Sequence, residues 1–370
     1  MNQEDWRLES YDYDLPPELI AQQPADQRDS SRLLLLSRSQ GTISHHRFPE
    51  ILELIPAESC LVLNNTRVMP ARLLGHRAAG GEIEALLVHE KFPGTWSALV
   101  RKAGRIKPGE RLTFFEGQLA AKALERNDEG HWLLEFEAAE HLSEKLERFG
   151  LPPLPPYIKR KKTSEQQNQE DRERYQTCYA SVPGAIAAPT AGLHFTPEVL
   201  EALRKRGTRV FELTLHVGLG TFSAVEDSDL RKHQMHSEHF QISEAVLNDL
   251  LEMITEGKPI IAVGTTVVRV LESLALENYQ RHSGWTDIFI YPPYEFRLVD
   301  GMLTNFHLPN STLMMLVSAF CGRTNLLKAY QEAVQERYRF FSYGDCMLTV
   351  SYTHLRAHET GRNLVCRLLL

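Results

Sequence analysis

Short runs in which apolar and polar residues alternate recur between residues 59 and 136, with glycine or proline between them. Alternation with a period of two is typical of half-buried β-strands, and strands this short at this spacing favour a small antiparallel barrel or sandwich. The predicted strands are "SCLVLNNTRV", "GEIEALLVHE", "TWSALVR", "RLTFFEG" and "HWLLEFE".

A proline-rich segment and then a strongly polar one follow these strands. Together they read "LERFGLPPLPPYIKRKKTSEQQNQEDRERYQ", and the portion from Lys159 to Arg174 contains almost no apolar residues. Prolines stiffen an extended chain, whereas a polar stretch of this kind has no hydrophobic face to bury. We therefore expect a hinge between domains, followed by a mobile loop.

From Tyr175 onward, helical and strand patterns alternate. The pattern "TPEVLEALRKRG" predicts a helix that Thr196 caps, that has Pro197 at its first position and that ends at Gly207. Further predicted strands are "TRVFELTLHV", "PIIAVG" and "DIFIYPP", and further helices are "SEAVLNDLLEMITEGK", "TTVVRVLESLALE", "STLMMLVSAFCG" and "TNLLKAYQEAVQERY". This alternation favours an α/β domain with a largely parallel or mixed sheet.

Composition narrows the class of protein. The 370 residues, 42% hydrophobic and 24% charged, describe a globular chain long enough for two domains or one large domain with an insertion. Five scattered cysteines without a C-x-x-C pair, and a polar N-terminus unlike a secretory signal, predict a cytoplasmic protein. The longest apolar run, residues 313–321, is too short to span a membrane. The formal net charge of −7 argues against indiscriminate nucleic-acid binding but permits a local basic patch.

Residues 216–240, "HVGLGTFSAVEDSDLRKHQMHSEHF", are rich in ionisable side chains. It contains Glu238 and the histidines His216, His233, His236 and His239. Three of these histidines are three residues apart, close to the spacing of metal ligands on a helix, so a zinc site is one interpretation. The H-E-x-x-H order is missing, which leaves a histidine-rich surface or a site for an anionic or nucleoside substrate as alternatives.

Two glycine-containing turns allow the backbone to approach a ligand. Gly218 and Gly220 lie in "HVGLGTF", where they permit a close approach or a simple bulge. In "AVGTTVVRVLE", Thr265 follows a strand-to-helix turn whose free N–H groups can hold a carboxylate or phosphate. Many ordinary turns share these patterns, so neither identifies a ligand by itself.

Histidines and arginines in three other segments are open to two interpretations. His194 in "APTAGLHF" and His307 in "TNFHLPNST" lie among small or apolar residues, which suits a structural role as well as a chemical one. Arg67 and Arg72 in "NNTRVMPARL" suit either phosphate and base recognition or surface ion pairs. Taken singly, these motifs name no reaction.

Taken together, the segments resemble the S-adenosylmethionine:tRNA ribosyltransferase-isomerases of queuosine biosynthesis, the QueA family. The matching segments follow the family's order and cover residues 10 to about 348. They are "YDYDLPPELIAQQPADQRDSSRLL", "LVLNNTRVMPARLLG", "RYQTCYA", "AAPTAGLHFT", "LHVGLGTFSAV", "HQMHSEHF", "AVGTTVVRVLES", "DIFIYPPYEFRLVDGMLTNFHLPNSTLMMLVSAFCG" and "YRFFSYGDCML".

The resemblance implies a transferase for which S-adenosylmethionine is a co-substrate that donates its ribosyl group. The implied acceptor is 7-aminomethyl-7-deazaguanine at the wobble position of tRNA, and the products are epoxyqueuosine in the tRNA, adenine and methionine. No metal or redox cofactor is implied, and we expect a monomer. The implied fold is α/β (α+β mixed), with a large α/β domain (1–66 and 151–349) interrupted by a small antiparallel β-barrel domain (67–150).

This chemistry needs a base for the C5′ proton next to the sulfonium and an acid that protonates the departing adenine. On the resemblance we hypothesise a catalytic pocket lined by His194, His216, His236, Glu238 and His307. The residues expected to bind the donor are Gly218, Gly220, Thr265 and Arg269. Those expected to face the tRNA are Arg67, Arg72 and Tyr175.

Two other classes of protein remain as alternatives, a metal-dependent hydrolase and a noncatalytic tRNA-binding protein. An ordinary methyltransferase is disfavoured because no glycine-rich loop follows the first strand. The end of the chain, "TVSYTHLRAHETGRNLVCRLLL", has no family counterpart that we recognise. We therefore suspect that residues 350–370 are a non-native tail that packs against nothing.

Overall fold

A nine-stranded mixed sheet organises most of the chain in the computed structural model. The structure describes residues 3–102, 106–128, 130–160, 164–218, 225 and 227–351. In spatial order the strands are β15 (Ser283–Thr286), β13 (Glu238–Gln241), β12 (Arg209–Leu215), β3 (Cys60–Asn64), β14 (Ile260–Val263), β16 (Gly301–Asn305), β17 (Cys346–Val350), β1 (Arg32–Ser37) and β2 (Ile43–Arg47). Because β12, β3, β14 and β16 are parallel neighbours, their carboxyl ends lie at one edge of the sheet.

Alternation along the central strands sends side chains to the two faces of the sheet. In β3, Cys60 and Val62 belong to one hydrophobic core, and Leu61 and Leu63 belong to another. Helices α5 (Glu244–Thr255), α6 (Thr265–Leu276), α7 (Thr312–Cys321) and α8 (Arg323–Gln335) contribute to the first core, and α1 (Ile51–Leu54) and α4 (Pro197–Lys205) to the second. Helices therefore cover both faces, which confirms the predicted α/β class.

Six antiparallel strands form a closed barrel with a hydrophobic core of its own. In order around the barrel they are β10 (Trp132–Phe136), β7 (Thr95–Arg101), β6 (Glu82–Phe92), β5 (Arg72–Arg77), β8 (Arg111–Phe114) and β9 (Leu119–Arg126). The predicted barrel is confirmed, but its first predicted strand is wrong. That run divides between β3 of the large sheet and β4 (Thr66–Val68), which pairs with β11 (Val182–Ala185).

The polar stretch after the barrel contains a helix, so the predicted loop is wrong there. Helix α2 (Leu142–Phe149) leads out of the barrel, and α3 (Glu165–Arg174) follows, with the Ser164 hydroxyl accepting from a backbone N–H of its first turn. Asp171 on α3 is buried and accepts two hydrogen bonds from Arg160, at 2.7 and 2.8 Å. This buried ion pair anchors a helix that has no apolar face.

The strand predicted at residues 287–293 is also wrong. Strand β15 ends immediately before residues 287–293. The apolar residues of this segment pack against the first core, but the segment is irregular chain. Of the suspected tail, Val350 lies in β17, and Ser351 donates its backbone N–H to the Asp300 carbonyl oxygen at 3.0 Å. These two residues therefore pack against the sheet, whereas residues 352–370 lie outside the described part of the chain. No helix in the described part is long and apolar enough to cross a bilayer.

Candidate active site

A cavity of about 230 Å³ lies at the carboxyl ends of the parallel strands. It is lined by Val217 after β12, Gly264 after β14 and Asn305 at the end of β16. Strands β12 and β14 flank β3, and the chain crosses from one side of β3 to the other between β12 and β14. In α/β sheets, ligands bind at this kind of crevice. The position of the cavity marks it as the candidate active site.

The N-terminus of helix α6 forms one wall of the cavity. Gly264 has φ of 93°, a conformation that favours glycine, and it turns the chain from β14 directly into the helix. Thr265 and Thr266 line the cavity, and the Thr266 hydroxyl accepts from the Asn64 amide at 3.3 Å. The first N–H groups of a helix have no partner within the helix and attract anions. This wall therefore suits a carboxylate or phosphate, as predicted for Thr265.

His307 also lines the cavity, and three hydrogen bonds hold it in place. Its Nε2 lies 2.7 Å from the Thr304 hydroxyl, its backbone N–H donates to the Tyr330 hydroxyl, and its carbonyl accepts from Tyr13. Burial lowers the pKa of His307 from 6.5 to about 3. The imidazole is therefore neutral at physiological pH.

His194 lies behind the cavity wall. Its Nδ1 is 2.8 Å from the Ser31 hydroxyl, and its Nε2 is 3.2 Å from the side-chain nitrogen of Asn305, a residue of the cavity lining. Burial lowers the pKa of His194 to about 4. His194 therefore contacts the cavity through Asn305, which the sequence analysis did not select although it lies in the "TNFHLPNST" motif.

Glu238 and Arg269 form a buried ion pair instead of lining the cavity. Arg269 also donates to the carbonyl oxygens of Thr286 and Ile288, and the Glu238 carboxylate accepts the backbone N–H of Gly218 at 3.0 Å. Because Glu238 neutralises the guanidinium, Arg269 is poorly placed to hold the donor's carboxylate. The pair instead ties the start of β13 to α6 and to the turn after β12.

The two remaining predicted histidines do not line this cavity either. His216 follows β12, and its Nδ1 lies 2.8 Å from the Thr66 hydroxyl; burial and His239 lower its pKa. His236 is exposed, two residues before β13. Gly220 lies outside the described residues. Of the five predicted catalytic residues, only His307 is part of the cavity lining that the structure describes.

The residues predicted to face the tRNA lie away from the cavity lining. Arg67 forms an exposed ion pair with Glu147 at 2.8 Å, and Arg72 pairs with Glu84 at 3.0 Å. Tyr175 is 1% exposed, and its ring packs edge-on against Tyr343. Burial of Tyr175 removes it from any surface that a tRNA contacts, whereas both arginines remain partly accessible.

Aromatic side chains complete the cavity. Tyr157 and Phe341 stack with ring centroids 4.7 Å apart, the Tyr157 hydroxyl lies 2.6 Å from that of Ser342, and Phe306 lies beside them in the lining. Aromatic faces attract cations, including sulfonium groups. Within the described ranges, no group of three or more His, Cys, Asp or Glu side chains is arranged to hold a metal ion.

Fold and site together define an α/β protein with an added β-barrel and a ligand cavity at the carboxyl ends of its parallel strands. The sequence matches the family model described as queuosine biosynthesis protein over residues 8–349, and the chain belongs to this family.

Relatives and a solved structure agree with this family. The chain is 50% identical over 344 residues to the S-adenosylmethionine:tRNA ribosyltransferase-isomerase of Acetivibrio thermocellus, covering 92% of this chain and 99% of the relative. It is 47% identical to the protein of the same name from Halothermothrix orenii, with 92% and 99% covered. The crystal structure of S-adenosylmethionine tRNA ribosyltransferase from Thermotoga maritima is similar, with a TM-score of 0.53, 38% identity, and 92% of this chain and all of that chain covered.

Proposed function

We propose that the protein is an S-adenosylmethionine:tRNA ribosyltransferase-isomerase that modifies 7-aminomethyl-7-deazaguanine at the tRNA wobble position. The observation that carries this proposal is the cavity that joins the N-terminus of α6 to His307 and an aromatic wall, in a chain of this family. S-adenosylmethionine carries a carboxylate, a sulfonium cation and an adenine. Those groups match an anion-binding helix end and aromatic faces in one cavity.

The donor's two charges give it an orientation in the cavity. We place its methionine carboxylate at the N–H groups of Thr265 and Thr266, where the helix dipole also favours negative charge. The sulfonium then lies toward the aromatic faces of Tyr157 and Phe341. Arg269 has no place in this arrangement, because it is paired with Glu238.

The neutral state of His307 limits its part in the reaction. An imidazole with a pKa of about 3 is not in its acidic, doubly protonated form at neutral pH, so we assign His307 a hydrogen-bonding role toward the donor and no acid role. We assign removal of the C5′ proton to the substrate amine in its unprotonated form, because neither His216 nor His236 lines the cavity. We further propose that the enzyme acts as a cytoplasmic monomer without a metal.

Adenine release tests the proposed reaction. The purified protein is mixed with S-adenosylmethionine and either tRNA that carries aminomethyl-deazaguanine or the same tRNA with guanine. Release with the modified tRNA alone is the expected result, and no release from folded protein with either tRNA contradicts the proposal.

A matched pair of histidine variants then tests the cavity. His307→Gln is expected to lower the rate on the order of 100-fold, as removal of a preorganised hydrogen bond does in other enzymes. His45→Gln is the control, because His45 lies on the edge strand β2 and its ring hydrogen-bonds only to Tyr338 and Glu332 among the described residues. Equal rates for the two variants would place the reaction elsewhere.

A further inference from the structure

A second, larger cavity adjoins the candidate active site. It has a volume of about 770 Å³, and Asn310 lines both cavities. Its other walls come from the N-terminal segment at residues 6–12 and from residues 228–231. A volume of this size falls in the range of small-molecule sites, ~300–1,000 Å³. No residue of this cavity is among those predicted for the donor or the tRNA.

Hydrogen bonds between distant parts of the chain hold these walls in place. The backbone N–H of Leu8 donates to the Ser228 carbonyl at 3.1 Å, and Arg7 and Asp229 form an isolated antiparallel bridge. On the other side, the backbone N–H of Asn310 donates to the Tyr11 carbonyl at 3.0 Å. The N-terminal segment is therefore bonded to residues on both sides of the larger cavity, including Asn310, which it shares with the candidate active site.

An aromatic ring and a guanidinium stack on each other at one wall of the larger cavity. The guanidinium carbon of Arg231 lies 4.5 Å from the centroid of the Trp6 ring. Asp229 holds this guanidinium with two hydrogen bonds, at 2.7 and 2.9 Å. Nucleobases stack on such aromatic and guanidinium surfaces when they leave a nucleic-acid strand.

The carboxylates of the cavity differ in their partners. Glu9 is paired with Arg7, and Asp229 is paired with Arg231. Asp12 is exposed and accepts only the N–H of Tyr13, and it has no ion pair with any residue in the described ranges. A cationic group that enters this cavity therefore finds one carboxylate without a competing cation.

We infer that the larger cavity binds the acceptor nucleobase, which stacks on the Trp6–Arg231 pair while Asp12 pairs with its aminomethyl ammonium group. The ammonium then loses a proton to bulk water before the free amine reacts. This inference rests on the proposed function, because it places the acceptor of that reaction. It puts the two substrates in adjoining cavities that meet at Asn310, so that the amine faces the ribosyl group of the donor.

Two tryptophans provide a matched test of stacking. Trp6→Leu is expected to raise the KM for modified tRNA about 10- to 100-fold, in line with the loss of one base-stacking surface. The KM for S-adenosylmethionine should stay unchanged, and Trp6→Phe should restore most of the tRNA affinity. Trp285→Leu is the control, because Trp285 is 61% exposed and packs against His239 on β13, outside both cavities. Equal tRNA affinities for Trp6→Leu and Trp285→Leu would overturn the inference.

Arg281 provides a matched control for Arg231. Arg281 also pairs with a carboxylate, Glu277, and lies over the ring of Phe240, yet it is outside the cavity. Arg231→Gln should weaken tRNA binding, and Arg281→Gln should not. A similar small loss in both variants would indicate general electrostatic attraction and contradict a stacking site.

The Asp12→Asn variant tests recognition of the amine. Binding of tRNA with aminomethyl-deazaguanine and of tRNA with guanine is compared by fluorescence anisotropy, without S-adenosylmethionine. The wild type should prefer the modified tRNA, and the variant should lose this preference while it binds guanine tRNA normally. An undiminished preference would refute the role of Asp12. If the wild type binds with this preference but releases no adenine, the proposed reaction fails and the base site stands.

Discussion

Acid should destabilise the protein through its two buried histidines. The folded pKa values of His307 and His194 are about 3 and about 4, below the value of about 6.5 for an exposed histidine. A depressed folded pKa means that the unfolded state takes up more protons. The associated stability is therefore fully present above about pH 6.5 and is lost as the pH falls toward 3 to 4. At pH 5 each histidine should have removed about 2 kcal/mol from the free energy of unfolding.

Denaturant titration at pH 8 and pH 5 measures this loss. Other groups titrate in the same range, so the useful quantity is the difference between wild type and His307→Gln at each pH. The variant loses the Thr304 hydrogen bond at both pH values, and this cost cancels in the comparison. Because His307→Gln removes the ionisable ring, the free energy of unfolding should fall by about 2 kcal/mol less between pH 8 and pH 5 in the variant than in the wild type.

A titration of the His307 ring followed by NMR gives the direct check. A ring that titrates near pH 6.5 in the folded protein would refute the argument that burial keeps it neutral. It would also restore His307 as a candidate acid for adenine departure, since about a quarter of the molecules would then carry the extra proton at pH 7.

Three further outcomes follow from other parts of the molecule. Glu238→Gln should destabilise the protein by about 3–5 kcal/mol in urea unfolding, because Arg269 is left buried with its charge unpaired; an unchanged midpoint would contradict a buried pair. Gly264→Ala should lower the free energy of unfolding by about 1–3 kcal/mol, because Gly264 has a positive φ. The variant should also raise the KM for S-adenosylmethionine by moving the N-terminus of α6, and a KM equal to that of wild type would argue against the carboxylate site. Removal of residues 352–370 should leave adenine release unchanged, and a large loss would show that this segment contributes to function.

Most of the fold could be predicted because the hydrophobic pattern is strong where the elements are buried. Helix α4 shows its cap and its apolar face, and its predicted position is confirmed. Helix α3 has no apolar face in its sequence, and polar contacts hold it, among them the ion pair between Arg160 and Asp171. The residues of that pair are eleven positions apart, and no local pattern reveals that both are buried.

The strand prediction at residues 59–68 fails for a related reason. Its apolar run ends at Leu63, but Thr66 and Val68, residue types that favour strands, follow after only two asparagines, so a single strand is the simplest interpretation. In the structure, Asn64 donates to the Leu215 carbonyl and accepts from the backbone of Thr66 and Leu215. These bonds bend the chain between β3 and β4, and they depend on the position of β12, about 150 residues later in the chain.

The histidine-rich stretch shows why the site was harder to predict than the fold. His216 bonds to Thr66 and lies beside His239, whose ring packs against Trp285, whereas His236 is exposed, so these histidines do not form one ligand set. Spacing along a chain identifies a ligand set when the residues share one helix or strand, whereas His216 follows β12 and His239 lies in β13, its antiparallel neighbour. The cavity instead combines Thr265 with His307, which are distant in sequence and meet because β14 and β16 are parallel neighbours. A motif that follows a buried strand in a parallel sheet therefore predicts the candidate site better than a local concentration of histidines does.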